Sequence, residues 1–313
     1  MYDVIIVGSG CSGYSAAMYA RRLELKTLLI GEIDGGTIIL TDVVENYPGF
    51  ARLSGEELSN KLRDHAMQYK PDMVYGKVLG IKKEKNYFKV STKSKSYLSK
   101  TIIIATGTMH SKLNIPGEEE FANRGVSYCS LCDGILYKNK VVAVAGGSDS
   151  AVKEALVLAR YAKKVFIIYR GTNVRAEPVN YIRLKKEKKI TIINETNITK
   201  ISGKKFVGSV ELDKPYNGKK SLNLDAVFIA IGYAPKSELA RDLGVNLNEK
   251  LEIIIDSDSK TNMPGVFAAG DITNTRFKQA IIGVAQAVTA AHSAYYYISH
   301  SAVMPFNGSG RKK

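Results

Sequence analysis

The apolar positions of this chain repeat one pattern twice. The first copy opens with the run Val4-Ile5-Ile6-Val7, which predicts a strand. A glycine-rich turn follows, Gly8-Ser9-Gly10-Cys11-Ser12-Gly13, then a helical stretch from Tyr14 to Arg22 and a second strand from Thr27 to Ile30. The second copy runs in the same order: strand Val141 to Val144, turn Gly146 to Ala151, a helix to about Tyr161, strand Val165 to Tyr169. Each copy also closes alike, on a strongly apolar string that ends in a glycine turn, Thr101 to Gly107 in one and Ala226 to Gly232 in the other. Between the copies, Tyr75 to Ile81, Tyr87 to Ser91 and Tyr97 to Ser99 alternate apolar and polar residues between polar turns and predict a small meander. The last segment, Leu251 to Lys313, holds a strand near Val266 to Ala269, the Gly270-Asp271 corner and a long helix from about Gln279.

The glycine turn of the first copy has the spacing GxGxxG, follows a strand and opens a helix, which is the context a dinucleotide-binding loop requires. Gly8 allows the tight turn, Gly10 lets backbone approach a pyrophosphate, and Gly13 permits close packing of helix on strand. The helix N-terminus then receives phosphate charge. Glu32, 19 residues beyond Gly13, is placed to accept a hydrogen bond from a ribose hydroxyl. Two such units give an α/β fold of two Rossmann-like, doubly wound, three-layer nucleotide-binding domains. The last segment needs a sheet to join, and returning it to the first copy splits that domain around the second. The expected domains are therefore 1–112 with 241–313, and an inserted domain 113–240. A length of 313 residues suits two domains.

The second loop departs from the first. Ser148 stands where the middle glycine would allow closest backbone approach, so the unit reads either as a second dinucleotide site or as a relic that binds nothing. Arg170 and Arg175 follow its second strand, where two guanidiniums could clamp a ribose 2'-phosphate, favouring NADPH over NADH, or could lie on an exposed loop.

Composition narrows the class. Hydrophobic residues make up 45% and charged residues 24%, which excludes disordered, collagenous and disulfide-stapled chains. The net charge of +15 would suit an acidic protein, a nucleic acid or an anionic membrane. The basic runs, such as Lys185-Lys186 and Lys204-Lys205, are scattered, Lys-dominated and have little aromatic interleaving, so they read as solvated faces rather than a nucleic-acid site. Residues 113–240 carry 21 basic and 13 acidic side chains, the denser basic field. The longest apolar stretch, Ala280 to Ile298, contains Gln286, Thr289, His292 and Ser293 and reads as a buried helix rather than a membrane span. The residues before Val4 do not read as a secretory leader, and three cysteines suit a reducing cytoplasm, the expected location. The tail Gly308 to Lys313 has the composition of a mobile end.

Two of the cysteines form a CxxC, Cys129-Ser130-Leu131-Cys132, followed at once by Asp133. Cysteines at this spacing can close a small reactive disulfide, and a helix N-terminus would lower a thiol pKa. Zinc would need two further ligands, and His65, His110, His292 and His300 show no ligand spacing with the pair, so no metal is expected. Asp133 could pass a proton to or from a departing thiolate, or cap a helix. Cys11, inside the first glycine loop, reads as a small buried side chain.

Taken together, Gly8 to Gly13, Gly35-Gly36-Thr37, Glu45 to Gly49, Ala105-Thr106-Gly107, the Cys129 to Asp133 motif, Gly146 to Ala151, and Gly270-Asp271 with Gln279-Ala280 resemble the low-molecular-weight thioredoxin reductase family over nearly the whole chain. The resemblance implies FAD in the split domain, held by Gly8, Ser9, Gly10, Gly13 and Glu32 and by Thr106, Gly107, Gly270 and Lys278. Gly35, Gly36 and Asn46 would line the flavin, Asp271 would hold its ribityl and phosphate region, and Gln279 with Ala280 would meet the isoalloxazine end. It implies NADPH at Gly146, Gly147, Ser148, Asp149 and Ser150, with Arg170, Arg175, Ile231 and Gly232. It also implies a homodimer acting on thioredoxin or a thioredoxin-like protein, with the inserted domain swinging between two positions. Cys132 would face the flavin, Cys129 would attack the substrate disulfide, and Asp133 would serve as acid and base. Where the family has His-Arg-Arg this chain has Tyr169-Arg170-Gly171, and the segment from Ile30 to Gly35 is one residue shorter. These departures weaken the nicotinamide site and admit NADH, ferredoxin or another electron donor. A flavin reductase without a dithiol and a non-catalytic redox sensor are the rival readings; the first has no use for Cys129 and Cys132.

Overall fold

A computed structural model describes residues 1–301; the Gly308 to Lys313 tail lies outside the described residues. Along the chain come β1 (Tyr2–Val7), α1 (Cys11–Arg22), β2 (Thr27–Gly31), α2 (Gly55–Gln68) and β3 (Asp72–Tyr75). Next are β4 (Val78–Lys83), β5 (Phe88–Thr92), β6 (Ser96–Ile104) and β7 (Thr108–His110), then β8 (Val126–Ser127), α3 (Ser130–Asp133), β9 (Val141–Ala145) and α4 (Asp149–Ala159). β10 (Lys164–Ile168), α5 (Pro178–Lys186) and β11 (Ile190–Ile193) precede β12 (Ile198–Gly203), β13 (Val207–Tyr216), β14 (Lys219–Asn223) and β15 (Ala226–Ile229). The chain continues through β16 (Tyr233–Pro235), α6 (Glu238–Asp242), β17 (Val266–Ala268) and α7 (Ala280–Ser301).

Contacts divide the chain into two compact units, Met1–Met109 with Pro235 onward, and His110–Ala234. The first unit is built on a sheet in the order β3-β2-β1-β6, parallel throughout, with β17 also parallel on β6. Strand β6 belongs to two patterns at once. Its first half pairs antiparallel with β5 and its second half, Thr101 to Ile104, is buried between β1 and β17. The meander expected from Tyr75 to Ser99 is thus an outgrowth of the central strand, and Tyr75 ends β3 rather than opening the meander. One face of the sheet carries α1 and α7, packed through Ala16, Ala17, Ala20, Ala287, Ala290 and Ala294, whose short side chains let the two helices approach closely. The other face is covered by β4, β5 and the chain around α6. Each fully buried Ile of β6 contributes about 2 kcal/mol of transfer free energy.

The second unit has an all-parallel sheet, β11-β10-β9-β15-β8. Helices α4 and α5 cover one face, and Ala151, Val152, Ala155 and Leu158 of α4 are buried there. The other face is covered by a three-stranded antiparallel sheet, β12-β13-β14, whose Ile198, Ile201, Val207, Val210 and Leu212 point into the core. In both units, then, one of the outer layers contains antiparallel β structure where a fully helical doubly wound fold would place helices. No helix among the described residues is long and apolar enough to cross a membrane.

Candidate active site

In the first unit, the turn after β1 is forced to be glycine at Gly8. Its φ is +117°, and a Cβ there would stand 2.1 Å from the carbonyl oxygen of Ala105. Gly10 is different: its φ is −89°, and an added Cβ would meet nothing closer than 3.7 Å. The packing of the chain does not demand glycine at that point, so the open space suits an outside group approaching the backbone. The N-terminus of α1 carries no side-chain cap and no carboxylate in its first turn, leaving its amide donors for an anion. A pyrophosphate fits that cradle.

Around it the fold gathers residues far apart in sequence. Gly35 N–H donates to Ser9 O (3.0 Å), and Asn46 Nδ2 donates to Gln279 Oε1 (3.0 Å) across 233 positions. Gly270 lies against Ser12, and Asp271 lies near Cys11 at the start of α1. Burial pushes the Asp271 carboxyl up, partly offset by Lys278, and burial also pushes the Cys11 thiol up to about 12. Lys278 itself is engaged by the chain, donating to the carbonyls of Asp271 and Thr273 (2.8 Å each) and pairing with Glu252 (2.9 Å). Thr106 Oγ1 donates to Lys236 O (2.9 Å), Gly107 has a φ of +63°, and Ala280 opens α7. Glu32 is exposed just past β2. Sequence reasoning missed Asp34, whose carboxylate accepts from the Tyr14 hydroxyl and pairs with Arg63 (3.1 Å). Its place beside Gly35 was the only signal.

In the second unit the loop after β9 repeats the geometry. Gly146 has a φ of +139°, and a Cβ there would stand 2.2 Å from Ala230 O, on the strand-end string that runs on to Ile231 and Gly232. Ser148 caps α4 in extended backbone, and Arg175 N–H donates to Gly147 O (2.7 Å). Arg170 and Arg175 are both exposed. Asp149 in the first turn of α4 accepts from Glu177 N–H and Asn180 Nδ2 (2.8 Å each) and pairs with Lys153 (3.3 Å), while Ser150 continues that turn. The ring of Tyr169 lies over Gly147 and Gly171, and a Cβ at Gly171 would meet it at 2.6 Å.

The same unit carries the dithiol. Cys129 and Cys132 form a disulfide with their Cα atoms 5.3 Å apart, at the start of the short helix α3. Cys129 is buried and its Sγ accepts from Cys132 N–H (3.1 Å), whereas Cys132 is exposed. Two residues that sequence reasoning passed over hold the motif. Ser127 Oγ donates to Asp133 Oδ2 (2.6 Å) and accepts from Cys129 N–H (3.1 Å). Glu154 of α4 accepts from Ser130 N–H (2.8 Å), and burial pushes its carboxyl above the usual range. Among the described residues no group of three or more His, Cys, Asp and Glu side chains is placed to hold a metal ion.

Two nucleotide-type units, one of them carrying a disulfide, define an oxidoreductase. The model of the family described as pyridine nucleotide-disulphide oxidoreductase matches residues 2–287. A thioredoxin reductase of Listeria innocua is 39% identical over 301 residues, 95% of this chain and 94% of that protein. Among solved structures, thioredoxin reductase from Lactococcus lactis matches with a TM-score of 0.92 at 40% identity, covering 96% of this chain and all of that one. Thioredoxin reductase from T. acidophilum matches with a TM-score of 0.90 at 37% identity, over 96% of this chain and 99% of that one. The chain belongs to the pyridine nucleotide-disulphide oxidoreductase family, which implies a flavin and a nicotinamide nucleotide.

Proposed function

We propose that this protein is a thioredoxin-disulfide reductase that passes electrons from NADPH through FAD to the Cys129–Cys132 pair and on to the disulfide of thioredoxin or a thioredoxin-like protein. The observation that carries the reading is a disulfide between one buried and one exposed cysteine, on the unit that also bears the second glycine loop, in a chain with thioredoxin reductase relatives. The exposed side chains of Leu131, Ile135 and Leu136 beside Cys132 favour a protein rather than a small thiol as the acceptor. FAD would be held at the Gly8 to Gly13 cradle with Gly35, Gly36, Asn46, Asp271 and Gln279, and when bound it supplies the conversion between hydride and thiol electrons. The nicotinamide nucleotide would be held at Gly146 to Ser150, with Arg175 and Arg170 toward the 2'-phosphate. The protein acts as a homodimer in the cytoplasm, and the basic field of residues 113–240 steers an acidic partner, so substrate reduction slows as salt is raised.

The two sulfurs divide the work. Cys132, exposed, attacks the substrate disulfide; Cys129, buried with its Sγ accepting an N–H, attacks the resulting mixed disulfide and is the better leaving group when the pair is reduced again. This moves the attack on substrate from Cys129, where the family resemblance puts it, to Cys132. Cys129→Ser then traps a mixed disulfide with thioredoxin and Cys132→Ser does not, as mass spectrometry of the non-reduced product will show; trapping by the Cys132 variant alone restores the original roles.

The test of the donor is anaerobic mixing of FAD-loaded protein with NADPH and with NADH, following the flavin's visible band. Fast bleaching by NADPH, followed by turnover with thioredoxin, supports the reading. A second reading, a different donor, is favoured by the Tyr169 ring lying where a side chain at position 171 would stand. No bleaching by either nucleotide, with dithionite still reducing the flavin, selects it.

A further inference from the structure

Ser127 ends the short edge strand β8, where it pairs with Phe228 of β15, so its backbone is fixed by the sheet and its side chain is buried. The hydroxyl has one proton. At 2.6 Å it goes to Asp133 Oδ2, while the oxygen's lone pair takes the N–H of Cys129 at 3.1 Å. A continuous polar chain therefore runs from the backbone of the buried cysteine, through Ser127, to the carboxylate next to the exposed cysteine. Asp133 N–H in turn donates to Cys129 O (3.2 Å), closing the turn on itself. Oδ2 of Asp133 is thereby tied to the end of β8.

We propose that Ser127 is a positioning residue for the dithiol: it anchors the Asp133 carboxylate beside the CxxC motif, so that Asp133 takes the proton when a thiol becomes the attacking thiolate. The inference rests on the dithiol reading above, not on the identity of donor or partner. In the reduced enzyme the Cys132 thiol loses its proton to Asp133 and the thiolate attacks a substrate sulfur, forming a mixed disulfide and releasing one substrate thiolate. Cys129 then attacks Cys132, re-forming the Cys129–Cys132 bond and releasing the second thiolate. Two electrons pass from dithiol to substrate, and the two thiol protons, one by way of Asp133, go to the two substrate thiolates.

The experiment uses the full FAD-loaded chain, reduced with dithionite, desalted anaerobically and mixed with the small disulfide DTNB, so that neither nicotinamide nor thioredoxin is involved. Ser127→Ala should slow exchange at pH 7 about tenfold, as expected for losing one hydrogen bond to a charged group, and should move the acid limb of the pH profile to higher pH. Ser127→Thr, which keeps the hydroxyl, should restore both. In an Asp133→Asn background the Ser127→Ala change should cost nothing further, because the two side chains act as one. A Ser127→Ala profile that superimposes on the unmodified one, a uniform loss at every pH that threonine does not repair, or additive losses in the double variant would each overturn the proposal. Failure of the unmodified dithiol to react with DTNB would overturn the dithiol reading itself, a separate result.

Discussion

The two glycine loops share a backbone and differ in nearly everything that a ligand would touch. Gly8 and Gly146 make the same turn against the carbonyls of Ala105 and Ala230, and Gly10 and Ser148 stand in nearly the same extended conformation, φ −89° and −81°. Each second position bridges a later segment, Gly10 to Gly35 and Ser148 to Arg175. The chemistry then diverges. The first loop is met by Gly35, with the acidic Glu32 and Asp34 just before it in the chain, and the helix behind it begins with uncharged Cys11 and Ser12. The second is met by Arg175, with Arg170 five positions earlier in the chain, and its helix begins with Asp149, whose charge is absorbed by Lys153, Asn180 and the Glu177 amide. Acidic groups accept from ribose hydroxyls, and guanidiniums hold a phosphate. The comparison teaches that one backbone can be repeated under different chemistry: the chain after β2 offers acidic side chains where the chain after β10 offers guanidiniums.

The sharpest way to break the comparison is at the shared turn. Gly8→Ala and Gly146→Ala each force a Cβ onto a carbonyl oxygen at positive φ, and each should cost about 3 kcal/mol or more of local stability. Gly8→Ala should yield protein that retains no flavin absorbance after gel filtration, whereas Gly146→Ala should keep its flavin and lose reduction by nicotinamide. Equal flavin loss in both would mean that the two loops are not separate sites.

Exchange at the middle position should have a smaller effect and opposite signs in the two units. Gly10→Ser should weaken flavin retention about tenfold or more, and Ser148→Gly should lower the KM for the nicotinamide several-fold, as steady-state kinetics will show; a rise in KM for Ser148→Gly would place the nucleotide elsewhere. For the charged rim, Gly171→Arg alone meets the Tyr169 ring at 2.6 Å and should gain little. The double change Tyr169→His with Gly171→Arg should shift the NADPH to NADH ratio of kcat/KM about tenfold toward NADPH, each guanidinium contact being a charge-assisted bond.

The smallest expected effect concerns Glu154. Burial raises its carboxyl in the folded state, so the fold holds this proton more tightly than the unfolded chain does. Stability from this group is complete below the unfolded value and is lost as pH rises through the folded one. Glu154→Gln, which keeps an acceptor for Ser130 N–H, should therefore raise Tm by a degree or two at pH 8 and leave it unchanged at pH 4. The first loop has no such buried carboxylate on the corresponding helix turn, so no matching variant exists in α1.

Much of this was legible because it is local. A strand, a glycine turn and a helix declare themselves within 30 residues, since Gly8 and Gly146 need only their own φ and a neighbouring strand, and CxxC needs only its spacing. The β12-β13-β14 layer was not legible in the same way. Its strands alternate only partly, with exposed Glu211, Asp213 and Lys214 beside buried Val210 and Leu212, and their meaning depends on the sheet they cover. Strand β6 was read as two elements because its first half alternates and its second half is continuously apolar, the signature of a strand that leaves a solvated hairpin for a buried sheet. Ser127, Asp34 and Glu154 carried no motif at all.

By itself, the sequence determined the two repeated units, the dithiol, the family they belong to and the side chains offered at each loop, because these depend on residues close in the chain or on ordered spacing of many short motifs. Tertiary structure decided which cysteine of the pair is buried, that Lys278 is held by carbonyls and Glu252, that Tyr169 covers Gly171, and that a serine on one strand holds the carboxylate of a helix six residues away. Those facts depend on burial and on contacts between elements, and neither is encoded in any short window of the chain.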